Sequence, residues 1–305
     1  MKNYKRILLF VLLLVLKSNA YGAFSLFSTH PYAIQLSSTG GDTIEDLRLF
    51  NNKIYAGYGN YNNHTNPTRV CAFQPPSNQF VCETTIDSET VHHFRIIGNT
   101  MYVIGGDPRP SNFDFFAQSS GGNWFKQAAF TSNVAHVYDI ESSGGTLWLT
   151  LTKFDDDTRL MKRLPNGSWV ESLTVRPISG HTTSNYSVLF FVAEFQGKLY
   201  TQAMDTGIDG VQPFSRVSLD NGVTWNNDPS ILLHRGLPNI MSRNDFKHYV
   251  FANHLVMQQG EHLVKFNGSV SETIQSDVRD YTIQNGVVYI LKNGGEILQS
   301  TNLNS

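Results

Sequence analysis

Polar and charged side chains recur at one position of a repeating pattern in this 305-residue chain. Eight residues before the predicted start of six strands stand Asp46, His93, Asp139, Phe191, Lys247 and Asp280. Two residues further along, Arg48 and Arg95 occupy places where apolar side chains would be expected. Carboxylates and guanidinium groups bind hydroxyls and carboxylates well, so this pattern predicts a pocket for a polar ligand. The alternative is a polar lining that ordered water solvates.

Four loops on the same predicted face add aromatic and polar groups to this set. They are Tyr58-Gly59-Asn60-Tyr61-Asn62, Asp107-Pro108-Arg109-Pro110, the loop at 153–157 and the loop at 205–209. Aromatic rings beside Asn and Asp side chains are a common way to hold sugars. We therefore include Tyr58, Asp107 and Arg109 among the predicted ligand-binding residues.

The elements that must position these residues are short strands. An apolar strand, a turn rich in Asn and Gly, and a strand that begins with an apolar pair recur to the end of the chain. The pairs are Ile54-Tyr55, Met101-Tyr102, Leu147-Trp148, Leu199-Tyr200, Leu255-Val256 and Val288-Tyr289. Units of this length, with room for two more strands in each, are typical of propeller blades.

The predicted fold is all-β: a six-bladed β-propeller closed by its N-terminal strand. The sixth unit offers only three strands, and His30–Leu36 supplies a spare strand that could pair as the outer strand of the last blade. Closing the ring removes the strand edges that an open array would expose. We expect residues 24–305 to form this single domain.

One turn carries a resemblance to a known family. The residues Ser218-Leu219-Asp220-Asn221-Gly222-Val223-Thr224-Trp225 resemble the Asp box, S-x-D-x-G-x-T-W, of sialidases and other bacterial-neuraminidase-repeat (BNR) propellers. The resemblance implies propeller architecture, with the box on the outside of a blade and away from the active centre. Phe94-Arg95-Ile96 echoes the F-R-I-P motif of that family, but Ile97 replaces the proline and the motif lies in the second blade. We therefore transfer no catalytic residues.

Composition and the N-terminus predict a secreted protein. The chain has 23 basic and 25 acidic side chains, a balance that argues against a nucleic-acid partner. Residues 1–20 read as a signal peptide: Lys2, Lys5 and Arg6 precede the ten apolar residues at 7–16 and a small-residue cleavage site. Ten residues are too few to span a bilayer, so we expect no stable membrane anchor.

The two cysteines fit opposite positions of one hairpin. If Phe73 faces Phe80 across the turn between them, Cys71 faces Cys82, and a disulfide is expected in a secreted chain. The alternative is a pair of buried thiols.

The sequence predicts a monomeric binding module for a glycan or another cell-surface ligand, with neither cofactor nor metal. The alternative is a glycoside hydrolase or lyase that uses carboxylates at the channel mouth. A hydrolase needs two carboxyl groups about 5–10 Å apart, whereas a binder needs aromatic platforms without paired acids.

Overall fold

A computed structural model describes most of the chain. The described residues are 29–35, 44, 46–59, 67–75, 77–108, 113–119, 121–130, 134–143, 145–153, 157–176, 187–207, 210–228, 230–231 and 247–303. The predicted signal peptide at residues 1–20 lies outside them. Within these ranges, no helix has the length and apolar character needed to cross a membrane.

The described residues form twenty-three strands in six antiparallel sheets, which we call blades 1 to 6 in chain order. Blade 1 contains β1 (Asp46–Phe50), β2 (Lys53–Gly57), β3 (Thr68–Gln74) and β4 (Gln79–Ile86). Blade 2 contains β5 (Ser88–Ile97), β6 (Thr100–Pro108), β7 (Phe113–Gln118) and β8 (Trp124–Phe130). Blade 3 contains β9 (Val134–Ser143), β10 (Thr146–Lys153), β11 (Thr158–Arg163) and β12 (Trp169–Val175).

The second half of the chain repeats this arrangement. Blade 4 contains β13 (Ser187–Phe195), β14 (Lys198–Gly207), β15 (Gly210–Ser218) and β16 (Asn226–Asn227). Blade 5 contains β17 (His248–Phe251), β18 (His254–Gln259), β19 (His262–Phe266) and β20 (Ser271–Ser276). Blade 6 contains β21 (Val278–Gln284), β22 (Val287–Lys292) and β23 (Ile297–Ser300).

The predicted six-bladed β-propeller is confirmed. Each blade is a meander in which every strand pairs with the strand that follows it in the chain. Each predicted apolar pair lies in the second strand of its blade, from Tyr55 in β2 to Tyr289 in β22. The turns before these strands contain left-handed residues, such as Asn52 (φ 58°) and Gly286 (φ 75°), which is why Asn and Gly mark them in the sequence.

The apolar core lies between neighbouring blades. Alternate side chains of each strand point to opposite sheet faces, so each blade packs against the blades before and after it. One cluster joins Phe50 and Tyr55 of blade 1 to Phe94 of blade 2. Four further clusters fill the junctions between blades 2 and 3, 3 and 4, 4 and 5, and 5 and 6.

The junction between blades 6 and 1 differs from the other five. Among the described residues, no buried apolar cluster joins these two blades. Leu47 and Leu49, on the face of β1 opposite to Phe50, are 61% and 63% exposed. We call this junction the seam.

The segment predicted to close the ring forms a different structure. His30–Gln35 forms a turn and a 3₁₀ helix at Ala33–Gln35, not an outer strand of blade 6, and Leu36 lies outside the described residues. Nδ1 of His30 accepts the main-chain N–H of Ala33 at 3.0 Å, which holds the turn. Pro31 has no N–H to give to a strand pairing.

This N-terminal segment packs on blade 1. The ring centroid of His30 lies 4.4 Å from that of Tyr58 and 4.9 Å from that of Phe80. Arg69 lies over the ring of Tyr32, 4.6 Å from its centroid. Burial lowers the pKa of His30 to about 4, so this histidine is neutral at physiological pH.

The predicted disulfide is confirmed. In the β3–β4 pairing Phe73 lies opposite Phe80 and Ala72 opposite Val81, and Cys71 is bonded to Cys82. The hairpin register alone therefore brings the two sulfur atoms together.

Reduction of this bond should lower the free energy of unfolding by about 2–3 kcal/mol, because an open chain loses more entropy on folding than one with a closed loop. Urea unfolding with and without reductant measures the difference, and the Cys71→Ala/Cys82→Ala double variant is the control that should not respond to reductant. Intact mass after alkylation without reductant should show no modified thiol. Two modified thiols would contradict the assignment.

The turn Ser218–Trp225, which we call the Asp220 turn, is held by its own side chains. Oδ1 of Asp220 accepts the N–H groups of Val223 at 3.1 Å and Thr224 at 2.8 Å, and Oδ2 accepts the Thr224 hydroxyl at 2.6 Å. Ser218 Oγ donates to Asp220 and accepts the N–H of Gly222 at 2.7 Å. The motif residues therefore act within one turn.

The Asp220 turn also ties blade 4 to blade 3. Lys162 Nζ donates to the main-chain oxygen of Asn221 at 3.0 Å, and Ser172 Oγ donates to that of Gly222. The indole N–H of Trp225 donates to Ser172 Oγ at 3.1 Å. Gly222 lies directly over the fully buried ring of Trp148.

Replacing Asp220 by alanine should lower the melting temperature at neutral pH. Hydrogen bonds from Thr224, with those from Ser218 and Val223, lower the pKa of Asp220 to about 2 from the usual 3.8. A lowered folded-state pKa means that the ionised carboxylate stabilises the fold above about pH 4, and that this contribution is lost as the pH falls towards 2. Melting curves of both proteins at pH 7 and pH 2 test this, since the difference should shrink at pH 2. An equal difference at both pH values would contradict it.

Candidate functional site

The first strands of the blades face one another across the axis of the ring. Arg95 on β5 contacts both Asp139 on β9, at 2.6 Å, and His248 on β17, at 3.3 Å. The ring of Phe191 on β13 lies 5.0 Å from the imidazole of His248. Because residues from four blades meet here, polar side chains far apart in the sequence form one central group.

A cavity of about 360 Å³ lies at the N-terminal ends of the first strands of blades 1, 5 and 6. We call it the first cavity. Its lining residues are Ile44, Asp46, Leu47, Arg48, Lys247, Tyr249, Asp280 and Thr282. It therefore opens at the seam, beside the exposed apolar face of β1.

The blade 1 side of the first cavity carries an ion pair. Nη2 of Arg48 donates to both carboxylate oxygens of Asp46, at 3.1 and 3.2 Å, and Asp46 also accepts the N–H of Phe94 at 2.9 Å. Burial opposes the charge on Arg48, but Asp46 and Tyr249 outweigh it and raise the pKa of the guanidinium. Burial likewise acts to raise the pKa of Tyr249, and the charge of Arg48 reverses this and lowers it.

The opposite side of the first cavity carries a second ion pair. Nζ of Lys247 lies 2.8 and 3.0 Å from the two carboxylate oxygens of Asp280. The N–H of Tyr281 donates to Asp280 at 2.7 Å, which fixes the carboxylate. The first cavity thus presents two cations, two carboxylates and the phenol group of Tyr249, with Leu47 and Ile44 as an apolar wall.

Below the first cavity lies a buried polar network. Asp139 is fully buried, and its Oδ1 accepts from Nε of Arg95 and lies 3.4 Å from Nε2 of His93. His248 accepts from Arg95 through Nδ1 and donates through Nε2 to Glu141 at 3.2 Å. Burial acts to raise the pKa of Asp139, but the charge of Arg95 outweighs it and the pKa is lowered. Burial lowers the pKa of His93.

The predicted ligand-binding residues thus fall into two groups. Asp46, Arg48 and Asp280 line the first cavity. His93, Arg95 and Asp139 belong to the buried network and are not among the lining residues. These three side chains contact one another across blades 2 and 3. That all six residues surround one ligand at a single mouth stays a prediction.

The predicted aromatic platform at Tyr58 is covered. Its ring packs against His30, and only 5% of the residue is exposed. Asp107 lies in β6, with its side chain outside the described part, and Arg109 lies wholly outside it, as do residues 60–62, 154–156 and 208–209 of the other predicted loops. Of Tyr58, Asp107 and Arg109, the structure describes the side chain of Tyr58 alone, and it places that ring against His30 of the N-terminal segment.

Three polar residues of the first cavity were absent from the predicted ligand-binding residues. Lys247 occupies the same repeat position as Asp46 and Asp280, and Tyr249 and Thr282 occupy the position of Arg48. Their positions in the repeat would have been enough to predict them. The prediction missed them because it selected only Asp, His and Arg side chains at these positions. In the described ranges, no group of three or more His, Cys, Asp or Glu side chains could hold one metal ion.

Comparisons with known proteins identify the fold but not a family. No protein-family model matches the chain, and no curated protein matches it in sequence. Among solved structures, a triple arginine-to-alanine mutant of AofleA from Arthrobotrys oligospora is 10% identical, with 86% of this chain and 84% of that one covered and a TM-score of 0.50. At this identity the similarity shows a shared fold.

Two further solved structures are similar at lower scores. A nidogen/laminin complex is 13% identical, with 81% of this chain and 84% of that one covered and a TM-score of 0.46. An ulvan lyase of polysaccharide lyase family PL25 is 8% identical, with 83% and 81% covered and a TM-score of 0.45.

Proposed function

We propose that the protein is a secreted binding module that holds a glycan or another polar surface ligand in the first cavity. The observation that carries the proposal is that charged side chains from blades 1, 5 and 6 converge on one cavity beside an apolar wall. Carboxylates of Asp46 and Asp280 suit sugar hydroxyls, and the cations suit an acidic substituent. Leu47 offers a surface to the apolar face of a sugar ring.

A binding role is favoured over the alternative of a glycoside hydrolase. Asp46 and Asp280 each hold a cation, Arg48 and Lys247 respectively. The third predicted acid, Asp139, has a lowered pKa because of Arg95, so it stays ionised and is a poor proton donor. A hydrolase needs one carboxyl group that is protonated at working pH.

Secretion and the finer family assignment are part of this proposal. The disulfide and the N-terminal sequence support export, and the hydrogen bonding of the Asp220 turn supports kinship with Asp-box propellers. We expect a monomer that needs no cofactor.

A glycan array with a parallel hydrolysis screen tests the proposal. Once a ligand is found, Leu47→Ala should weaken binding about tenfold while stability stays unchanged, because this side chain is mostly solvent-exposed without ligand. Leu49→Ala is the matched control: it lies on the same face of the same strand but outside the lining. Turnover of the glycan that is lost in Asp280→Asn would instead support the hydrolase.

A further inference from the structure

A second cavity, of about 440 Å³, adjoins the first strands of blades 3, 4 and 5. Its lining comes from the C-terminal ends of β9 and β13 and from β17. The first cavity is lined instead by residues of blades 1, 5 and 6, so the two cavities meet at blade 5. Tyr249 lines both. The volume falls in the range of small-molecule sites, about 300–1,000 Å³.

The charge of the second cavity is negative. Glu141 and Glu194 line it, and none of its described lining residues is a lysine or an arginine. Glu141 is held in place, since its Oε1 accepts the N–H of Ser142 at 2.8 Å and its Oε2 contacts His248. Arg95 contacts Nδ1 of the same histidine at 3.3 Å. In the part of the chain that the structure describes, no ion pair or hydrogen bond engages the Glu194 side chain.

Aromatic and apolar groups complete the lining beside these carboxylates. Phe195 is almost fully buried, and the ring of Tyr249 is fixed at 80° against Tyr281, with 5.4 Å between centroids. Val250 adds an aliphatic surface. The negative faces of aromatic rings attract cations, and an aliphatic chain packs against apolar walls. Carboxylates beside aromatic rings therefore suit a cation attached to an alkyl chain.

We propose that the second cavity is a binding site for an alkylammonium group, with Glu141 and Glu194 as the anionic partners and Phe195 and Tyr249 as the walls. This site shares Tyr249 with the first cavity but is otherwise lined by different residues, and its ligand is a cation. A free amine and a lysine side chain of a peptide carry the same group.

Titration calorimetry with cadaverine tests the site, with 1-pentanol as the uncharged control. Cadaverine should bind, 1-pentanol should not, and Glu194→Gln should weaken cadaverine about tenfold through the loss of a charge-assisted contact. Glu296→Gln is the matched control, since Glu296 is exposed on a turn of blade 6. The peptide acetyl-Gly-Lys-Gly-amide is measured in parallel, and the tighter ligand distinguishes a free amine from a lysine side chain.

The outcomes separate this site from the first cavity. Leu47→Ala should leave the affinity for cadaverine unchanged, whatever its effect on a glycan. Three results would each overturn the second site. They are failure of both cadaverine and the peptide to bind, binding of 1-pentanol as tight as that of cadaverine, and equal affinity for cadaverine in Glu194→Gln and the parent protein. None of these results bears on glycan binding.

Discussion

Replacing Arg95 by alanine should lower the free energy of unfolding by about 3–5 kcal/mol, because it leaves the carboxylate of Asp139 buried without its guanidinium partner. Asp139 is 0% exposed, and Arg95 Nε is the closest donor to its Oδ1, at 2.6 Å. Urea unfolding of the two proteins measures the difference.

Two further variants sharpen this experiment. The double variant Arg95→Met/Asp139→Leu should be less destabilised than either single variant, because it removes both charges and leaves neither unpaired. Lys247→Ala is the matched control: its partner Asp280 has a side chain that is 40% exposed, so the loss should stay below about 1 kcal/mol. If Arg95→Ala unfolds like the parent protein but no longer binds a ligand, the network belongs to a binding site, as the sequence suggested.

Replacing Gly222 by alanine should destabilise the fold by about 2–4 kcal/mol, through backbone strain together with overpacking. Gly222 has a φ of 80°, and a Cβ there would lie 2.3 Å from Cη2 of Trp148. Trp148 is fully buried between blades 3 and 4, so its ring has no space into which it can move. The substitution should therefore separate the Asp220 turn from blade 3.

Gly167→Ala isolates the part of this effect that comes from Trp148. Gly167 occupies the corresponding turn of blade 3 with nearly the same φ, 85°, but a Cβ there would meet nothing closer than 3.8 Å. Both variants share the backbone strain, so the difference between their unfolding free energies measures the contact between turn and ring. Equal losses in the two variants would show that this contact adds nothing to stability.

The blade pattern could be predicted because each blade repeats the same arrangement of turn residues and buried aromatic or aliphatic side chains. Tyr55, Tyr102 and Trp148 fill equivalent buried places in successive second strands, and turns with left-handed residues precede them. The disulfide followed from the same local logic, since the hairpin register pairs Cys71 with Cys82. Such features depend on neighbours within about 15 residues, which a sequence displays directly.

The candidate site could be predicted only in part, because it depends on contacts between blades. Arg95 and Asp139 stand 44 residues apart, and bulges beside His93 in β5 and beside Thr150 in β10 shift the registers that set their separation. Neither bulge has a mark in the sequence. The cover that His30 places on Tyr58 likewise joins distant parts of the chain.

Ligand binding at the seam should also stabilise the fold. Five junctions are held by apolar clusters, whereas blades 6 and 1 meet, within the described residues, across the first cavity. A ligand that contacts Leu47 on one side and Thr282 on the other therefore links blade 1 to blade 6. Its binding free energy adds to the free energy needed to separate the end blades. A ligand that binds more tightly should therefore slow amide hydrogen exchange in β1 and β21 more strongly, because both effects report how firmly blades 1 and 6 are held together.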